Sequence, residues 1–129
     1  MANGYIASKG NVQIFLREMK EILKDPNSEI ILDPRDNAND IYSTKYCLTT
    51  LGYQIEDVIQ ILLKLKLTDY IESCKDIRKP NSNEFYIFGV NIENKEVYIK
   101  VKISSREYKI VLCMSFHFAE FPLVKAKWK

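Results

Sequence analysis

The side chains best suited to chemistry lie on a strand-like segment, residues 96–103, with the sequence EVYIKVKI. Its apolar and polar residues alternate without interruption, which is typical of a β-strand with one buried face. Because the aliphatic side chains share one face, Tyr98, Lys100 and Lys102 must share the other. A phenol and two ammonium groups therefore follow one another along a single strand.

A second strand is predicted over residues 107–116, and a turn at residues 104–106 makes it an antiparallel hairpin with the first. Its apolar set is expected to face the core: Tyr108, Ile110, Leu112, Met114 and Phe116. Pairing apolar with apolar positions places three further residues on the face of Tyr98: Lys109, Ser115 and His117. The register then decides whether His117 lies directly opposite Tyr98 or four residues along the strand, roughly 13 Å away.

These residue types suit the cleavage of RNA without a metal ion. That reaction needs a general base near the 2′-hydroxyl, a general acid near the leaving 5′-oxygen and cations around the phosphate. Histidine serves as acid or base because it titrates near neutral pH, and tyrosine donates a proton or stacks on a nucleobase. Each residue alone has a structural explanation, since lysines protect sheet edges and tyrosines pack across strands. Only their combination on one face indicates a nucleic-acid site.

The N-terminal part of the chain is predicted to be helical. Residues 11–24 carry an apolar stripe at helical spacing, with Asn11 as a plausible N-cap. Residues 40–51 and 55–66 repeat the pattern on either side of Gly52 and form a helical hairpin. This hairpin is a weak match to a helix-turn-helix DNA-binding motif, because the second helix has few exposed polar or basic side chains to contact base edges.

In the C-terminal part of the chain, apolar residues recur at every second position instead of every third or fourth. Strands are predicted over 85–92, 96–103 and 107–116, after a short strand at 29–32 and an irregular stretch at 67–84. Helices followed by strands favour an α+β fold, with N-terminal helices packed on a small antiparallel sheet. Residues 1–129 are predicted to form one domain with four parts: a flexible N-terminus (1–10), a mainly helical part (11–66), the antiparallel sheet (85–117) and a basic C-terminal tail (118–129).

Composition excludes several classes of protein. The chain has 129 residues, of which 47% are hydrophobic and 28% charged, unlike a disordered or coiled-coil chain. No apolar run approaches the roughly 18 residues of a membrane helix, and the N-terminus lacks a signal-peptide pattern. Cys47, Cys74 and Cys113 form neither a disulfide framework nor a zinc motif. We therefore expect a cytoplasmic protein with no metal, no cofactor and no membrane partner.

Basic residues are concentrated toward the C-terminus. Residues 95–129 contain eight Lys or Arg against three Glu, whereas the first 94 residues carry a net charge of −3. This asymmetry indicates an anionic partner, nucleic acid being the commonest, and the alternative is a solvated lysine-rich edge. Arg78 and Lys79 lie in a Pro- and Asn-rich loop, from which they could also reach RNA.

Two stretches resemble the MqsR family of bacterial toxins from type II toxin–antitoxin systems. One is LGYQIEDVIQILLKLKLTDYIES, residues 51–73, which precedes FYIFGVNIENKEVYIKVKI at 85–103. The other is SFHFAEFPL at 115–123. The resemblance follows the order and spacing of the family over roughly residues 11–123. It is closer to a branch with the pattern SFH-x-AE-x-P than to the best-known member, which has lysine in place of the histidine.

The resemblance implies a fold similar to that of RelE-type toxins and a metal-independent endoribonuclease, or mRNA interferase, that inhibits translation and growth. It also implies silencing by a cognate antitoxin protein. The family's tyrosine and lysine in the VY-x-K strand fall on Tyr98 and Lys100, and its late lysine falls on His117. Its glutamine falls near Tyr86. The family's earlier lysine falls near Glu72, and a carboxylate cannot replace a cation at a phosphate.

The expected catalytic residues are therefore His117, Tyr98 and Lys100, and RNA binding is expected from five others: Lys102, Lys109, Tyr86, Arg78 and Lys79. The expected partners are mRNA and an antitoxin. The sequence leaves open whether the ribosome takes part, and which of His117 and Tyr98 is the acid. Two alternatives remain: a non-catalytic nucleic-acid- or protein-binding module that uses the same basic face, and an MqsR-like chain that has lost activity.

Overall fold

The computed structural model describes residues 4–32, 40–76, 83–105 and 109–128. Within them lie three helices: α1 (Lys9–Lys24), α2 (Thr44–Leu51) and α3 (Ile55–Leu63). Five strands form one sheet: β1 (Glu29–Leu32), β2 (Tyr70–Cys74), β3 (Phe85–Ile92), β4 (Lys95–Ser105) and β5 (Lys109–Phe118). The architecture is mixed α+β, as predicted. None of the helices in these described ranges is long and apolar enough to cross a membrane.

The sheet has the order β1-β5-β4-β3-β2. Strands β2 to β5 form an antiparallel meander, whereas β1 pairs parallel with β5. The prediction of a purely antiparallel sheet is therefore wrong at one edge. The prediction of an irregular stretch over 67–84 is also wrong at β2, where a bulge between Tyr70 and Glu72 breaks the alternation that identifies strands.

The hydrophobic core lies between the helices and one face of the sheet, here called the helix face. Phe88, Ile99 and Phe116 form one cross-strand row on this face and are fully buried. The predicted stripe of α1 packs against the same core. The helix is capped by Ser8 rather than Asn11, since the Ser8 hydroxyl accepts the Asn11 N–H at 3.1 Å. Helix α1 consequently begins two residues earlier than predicted.

Strands β4 and β5 pair in two registers. Val97 to Lys100 pair with Phe118 to Ser115, and then a bulge brings Val101 opposite Cys113, leaving Met114 as an extra residue of β5. One extra residue reverses the alternation of the strand. The prediction that Ile110 and Leu112 face the core is therefore wrong, and the two residues buried there are Val111 and Cys113.

Described segments near both ends of the chain pack on the sheet. Tyr5 exchanges backbone hydrogen bonds of 2.9 and 2.7 Å with Ser73 of β2. At the other end, the Trp128 indole stacks on Tyr70 at 5.5 Å and donates to the Ala7 carbonyl at 3.0 Å. Between β5 and Trp128 the chain passes over Gly89, where a β-carbon would lie 2.7 Å from Leu123. Residues 119–128 are thus docked against the sheet.

Candidate active site

Tyr98 and His117 form the centre of the candidate site. They are directly opposite each other on β4 and β5, and their rings stack with centroids 5.0 Å apart and planes within 13°. Burial of the flanking Val97 and Ile99 on the helix face fixes the face that the two rings share. Of the two registers considered from the sequence, the structure has the one that places the two rings in contact.

The imidazole of His117 has a defined orientation. Its Nδ1 lies 3.0 Å from the backbone carbonyl oxygen of Phe118. A carbonyl oxygen only accepts, so this contact assigns the proton to Nδ1. In the neutral ring Nε2 then carries the lone pair and is the nitrogen that can accept a proton. Glu120, a possible orienting carboxylate, is exposed and is not needed to hold the ring.

The phenol of Tyr98 is a proton donor at neutral pH. Burial raises its pKa from 10 to about 12, and the nearby Cys74 and Glu72 side chains act in the same direction. An acid with such a pKa remains protonated under physiological conditions. Tyr98 is therefore suited to donate a proton to a strongly basic leaving oxygen, but not to serve as the base.

Lys100 lies two residues beyond Tyr98 in β4 and therefore on the same face. It is opposite Ser115 on β5 and Ile87 on β3, and its Nζ is 4.9 Å from the ring centroid of Phe85. A cation over an aromatic face is stabilised by the ring quadrupole. Lys100 thus provides an ammonium group on the face that carries Tyr98 and His117, here called the candidate face.

A carboxylate belongs to the same row. Glu72 on β2 pairs with Ile87, the partner of Lys100, so the row Glu72–Ile87–Lys100–Ser115 crosses four strands. The N-terminal segment lies against this carboxylate, because a methyl group at Gly4 would collide with it. Glu72 therefore places a negative charge on the candidate face, near the edge of the sheet, where the resemblance implies a cation.

Lys102 does not contribute a free cation to this face. It follows Lys100 on the same side of β4, but its side chain and that of Asp76 are only 3% and 4% exposed and form a 2.9 Å ion pair. The Lys102 Nζ also lies 5.3 Å from the ring centroid of Phe85. The structure thus places Lys102 in a buried cluster, where it cannot reach a substrate as a surface lysine would.

Two other predicted RNA contacts lie on the helix face. Lys109 belongs to the part of β5 beyond the bulge and pairs with Glu18 of α1 at 2.6 Å. Tyr86 stacks on Phe15 of α1, with ring centroids 4.1 Å apart. The prediction that Lys109 shares a face with Tyr98 is wrong because of the bulge, and Tyr86 lies across the sheet from Lys100. Arg78 and Lys79 fall outside the described residues.

Phe85 is the site residue that sequence reasoning missed. It lies under two lysines and is 2% exposed. The segment FYIFGVNI is apolar on both faces, so alternation does not say which side Phe85 occupies. Counting in steps of two from the Lys100 partner Ile87 would have placed Phe85 on the candidate face, had the β3–β4 register been known.

The described residues contain no group of three or more His, Cys, Asp or Glu side chains that could hold a metal ion. The arrangement offers a proton acceptor, a proton donor and an ammonium group on one face of the sheet, within two residue pairs of each other. No family model, no curated protein and no solved structure matches the chain.

Proposed function

We propose that this protein is a metal-independent mRNA endoribonuclease, the toxin of a type II toxin–antitoxin pair, with a RelE-like fold. The observation that carries the proposal is the stacked Tyr98–His117 pair beside Lys100. The sequence resemblance to the MqsR family supports the same function. Its partners would be mRNA in the cytoplasm and a cognate antitoxin, and its effect would be inhibition of translation and growth.

The orientation of each group suggests a role in the reaction. His117 Nε2 takes the proton of the ribose 2′-hydroxyl, and the 2′-oxygen forms a bond to the adjacent phosphorus. The bond from phosphorus to the 5′-oxygen breaks, and that oxygen takes the phenolic proton of Tyr98. The products are a 2′,3′-cyclic phosphate and a 5′-hydroxyl.

Two contacts would lower the energy of the transition state. Lys100 lies two residue pairs away on the same face and would stabilise the negative charge that develops on the phosphate oxygens. The Tyr98 ring lies against His117 and would stabilise the imidazolium formed when the base takes its proton. Since the attacking group is the 2′-hydroxyl, DNA cannot be a substrate.

The proposal is tested by incubating the purified protein in EDTA with a long unstructured RNA and with DNA of the same sequence. Primer extension should show discrete cuts in the RNA alone, and expression without an antitoxin should arrest growth. Cuts found only in ribosome-associated mRNA would identify a ribosome-dependent toxin. The absence of cleavage in both settings would contradict the proposal.

A second candidate is a non-catalytic nucleic-acid-binding module. The observation that favours it is the placement of Lys100 over the Phe85 ring, a cation supported by packing that could hold a phosphate without any proton transfer. Such a module would bind RNA with an affinity that falls steeply with salt. His117→Asn distinguishes the two candidates, because it should leave binding by a module unchanged but abolish cleavage by an enzyme.

A further inference from the structure

A cleft at the end of the sheet has no role in the reaction proposed above. It has a volume of about 570 Å³ and is bounded by the start of α2, the β3–β4 turn and the chain that follows β5. Four of its lining residues are aromatic: Tyr42, Tyr46, Phe118 and Phe121. This volume lies within the range of small-ligand sites, roughly 300–1,000 Å³.

The aromatic side chains of the cleft differ in how far they are packed. Tyr46 and Phe118 make an edge-to-face contact with centroids 6.3 Å apart, and Lys95 Nζ lies 5.1 Å from the Phe118 centroid. Phe121, in contrast, is 73% exposed. A phenylalanine this exposed at the mouth of a cleft is free to stack on an incoming ring.

Polar groups line the same cleft. Asn94 and Glu96 are both exposed and contribute an amide and a carboxylate to the lining. Asn94 has a positive φ of 66° in the tight β3–β4 turn, which fixes the position of its backbone. Amide and carboxylate side chains can pair with the donors and acceptors on the edge of a nucleobase.

One residue connects this cleft to the proposed catalytic pair. The ring of Phe118 lines the cleft, and the Phe118 carbonyl accepts the hydrogen bond from His117 Nδ1 at 3.0 Å. On the neighbouring strand, Glu96 lines the cleft two residues before Tyr98. The Phe118 ring lies on the helix face, across the sheet from the Tyr98 and His117 rings, whereas Glu96 shares their face. A ligand held at Tyr98 and His117 would therefore enter the cleft around the end of the sheet, past Glu96.

We infer that the cleft binds a nucleobase of the RNA close to the cleaved bond, with Phe121 as the stacking surface and Asn94 and Glu96 as the groups that select the base. This inference rests on the proposed function. A nucleobase fits the cleft better than an apolar peptide segment does, because the lining combines flat aromatic rings with charged and amide side chains. The preference for particular bases at the cut sites would then come from this cleft and not from the candidate face.

The test uses 2′-O-methyl RNA hexamers, which bind but cannot be cleaved, with 2-aminopurine placed at each position in turn. Stacking quenches 2-aminopurine fluorescence, so one position should show strong quenching by the full-length protein. Phe121→Ala should weaken binding of that hexamer by about tenfold, within the range for loss of one base–aromatic stack. Val124→Ala is the matched control, because Val124 is 69% exposed but does not line the cleft.

The outcomes separate this inference from the proposed function. Equal affinity of the wild-type protein and Phe121→Ala would overturn the cleft assignment, even if RNA is cleaved normally. Loss of affinity in Phe121→Ala, in a protein that does not cleave RNA, would support the cleft and contradict the endoribonuclease. If the protein cleaves RNA, Glu96→Gln should change the bases found at the cut sites while His117→Asn should remove the cuts.

Discussion

The two halves of the β4–β5 hairpin carry similar residues but use them differently. Before the bulge, Tyr98, Lys100 and His117 share one face and lie within two residue pairs of each other. Beyond it, Lys102 is buried against Asp76, and Lys109 lies on the helix face against Glu18. The number of basic residues in a segment therefore says little about a binding surface, because face and partner determine what each lysine does.

The most disruptive test of this comparison removes the bulge. Insertion of one alanine between Lys100 and Val101 would give Met114 a partner, extend the first register through the whole hairpin and reverse the faces of the residues beyond it in both strands. Val111 and Cys113 would leave the core, with an expected loss of about 3–6 kcal/mol in the free energy of unfolding. Urea denaturation measures the loss. Met114→Ala keeps the residue count and should cost much less, and equal costs for both changes would contradict the role of the bulge.

The two ion pairs beyond the bulge should differ strongly in their effect on stability. Asp76→Asn removes the buried negative charge 2.9 Å from the Lys102 ammonium and is expected to cost about 3–5 kcal/mol. Glu18→Gln removes a pair whose side chains are 51% and 43% exposed, and the expected cost is about 0–1 kcal/mol. Urea denaturation of both variants makes the comparison. Similar losses would show that Lys102 and Asp76 are not as deeply buried as described.

Much of the fold was predictable, because helical stripes and the alternation of β4 follow directly from the burial of one face. The features that escaped prediction depend on contacts between distant segments. Met114 resembles any other apolar strand residue, so nothing marks it as the extra residue of a bulge. Asp76 meets Lys102 only because β2 and β4 flank β3 in the sheet. The Tyr98–His117 pairing could be stated only as one of two registers, because both keep the same residues on each face and alternation does not distinguish them.

Lysines on opposite faces should contribute differently to catalysis. Lys100→Gln removes the ammonium next to the stacked pair and is expected to lower the rate of RNA cleavage on the order of 100-fold. Lys109→Gln removes a positive charge from the helix face and should leave the rate unchanged. Single-turnover cleavage of one RNA by both variants gives the comparison. Equal losses would show that overall charge, and not the position of Lys100, is what the reaction needs.

A smaller effect is expected from the titration of Tyr98. Its pKa is about 12 in the folded protein, compared with 10 in an unfolded chain. The folded state therefore holds this proton more tightly. The resulting stabilisation is complete below pH 10 and is lost as the pH rises toward about 12.

As the pH rises from 9 to 11, the free energy of unfolding should fall by about 1–2 kcal/mol less in Tyr98→Phe than in the wild-type protein. This figure is reduced to allow for the partial exposure of the phenol. Urea unfolding at pH 9 and pH 11 measures it. Cys47 and Cys113, whose pKa values burial also raises to about 12, contribute to the same pH range in both proteins and cancel in the comparison. An unchanged pH dependence in Tyr98→Phe would show that the phenol is better solvated than the structure indicates.

The central claim is that Tyr98 and His117 act together as acid and base. The most direct measurement is the single-turnover rate of RNA cleavage in EDTA for His117→Asn, Tyr98→Phe and the double variant. Both changes remove a transferable proton site while keeping a side chain of similar shape. Each single variant should lose on the order of 100-fold or more, and the double variant should be little slower than the slower single variant. Cleavage at the wild-type rate by either single variant would contradict the account.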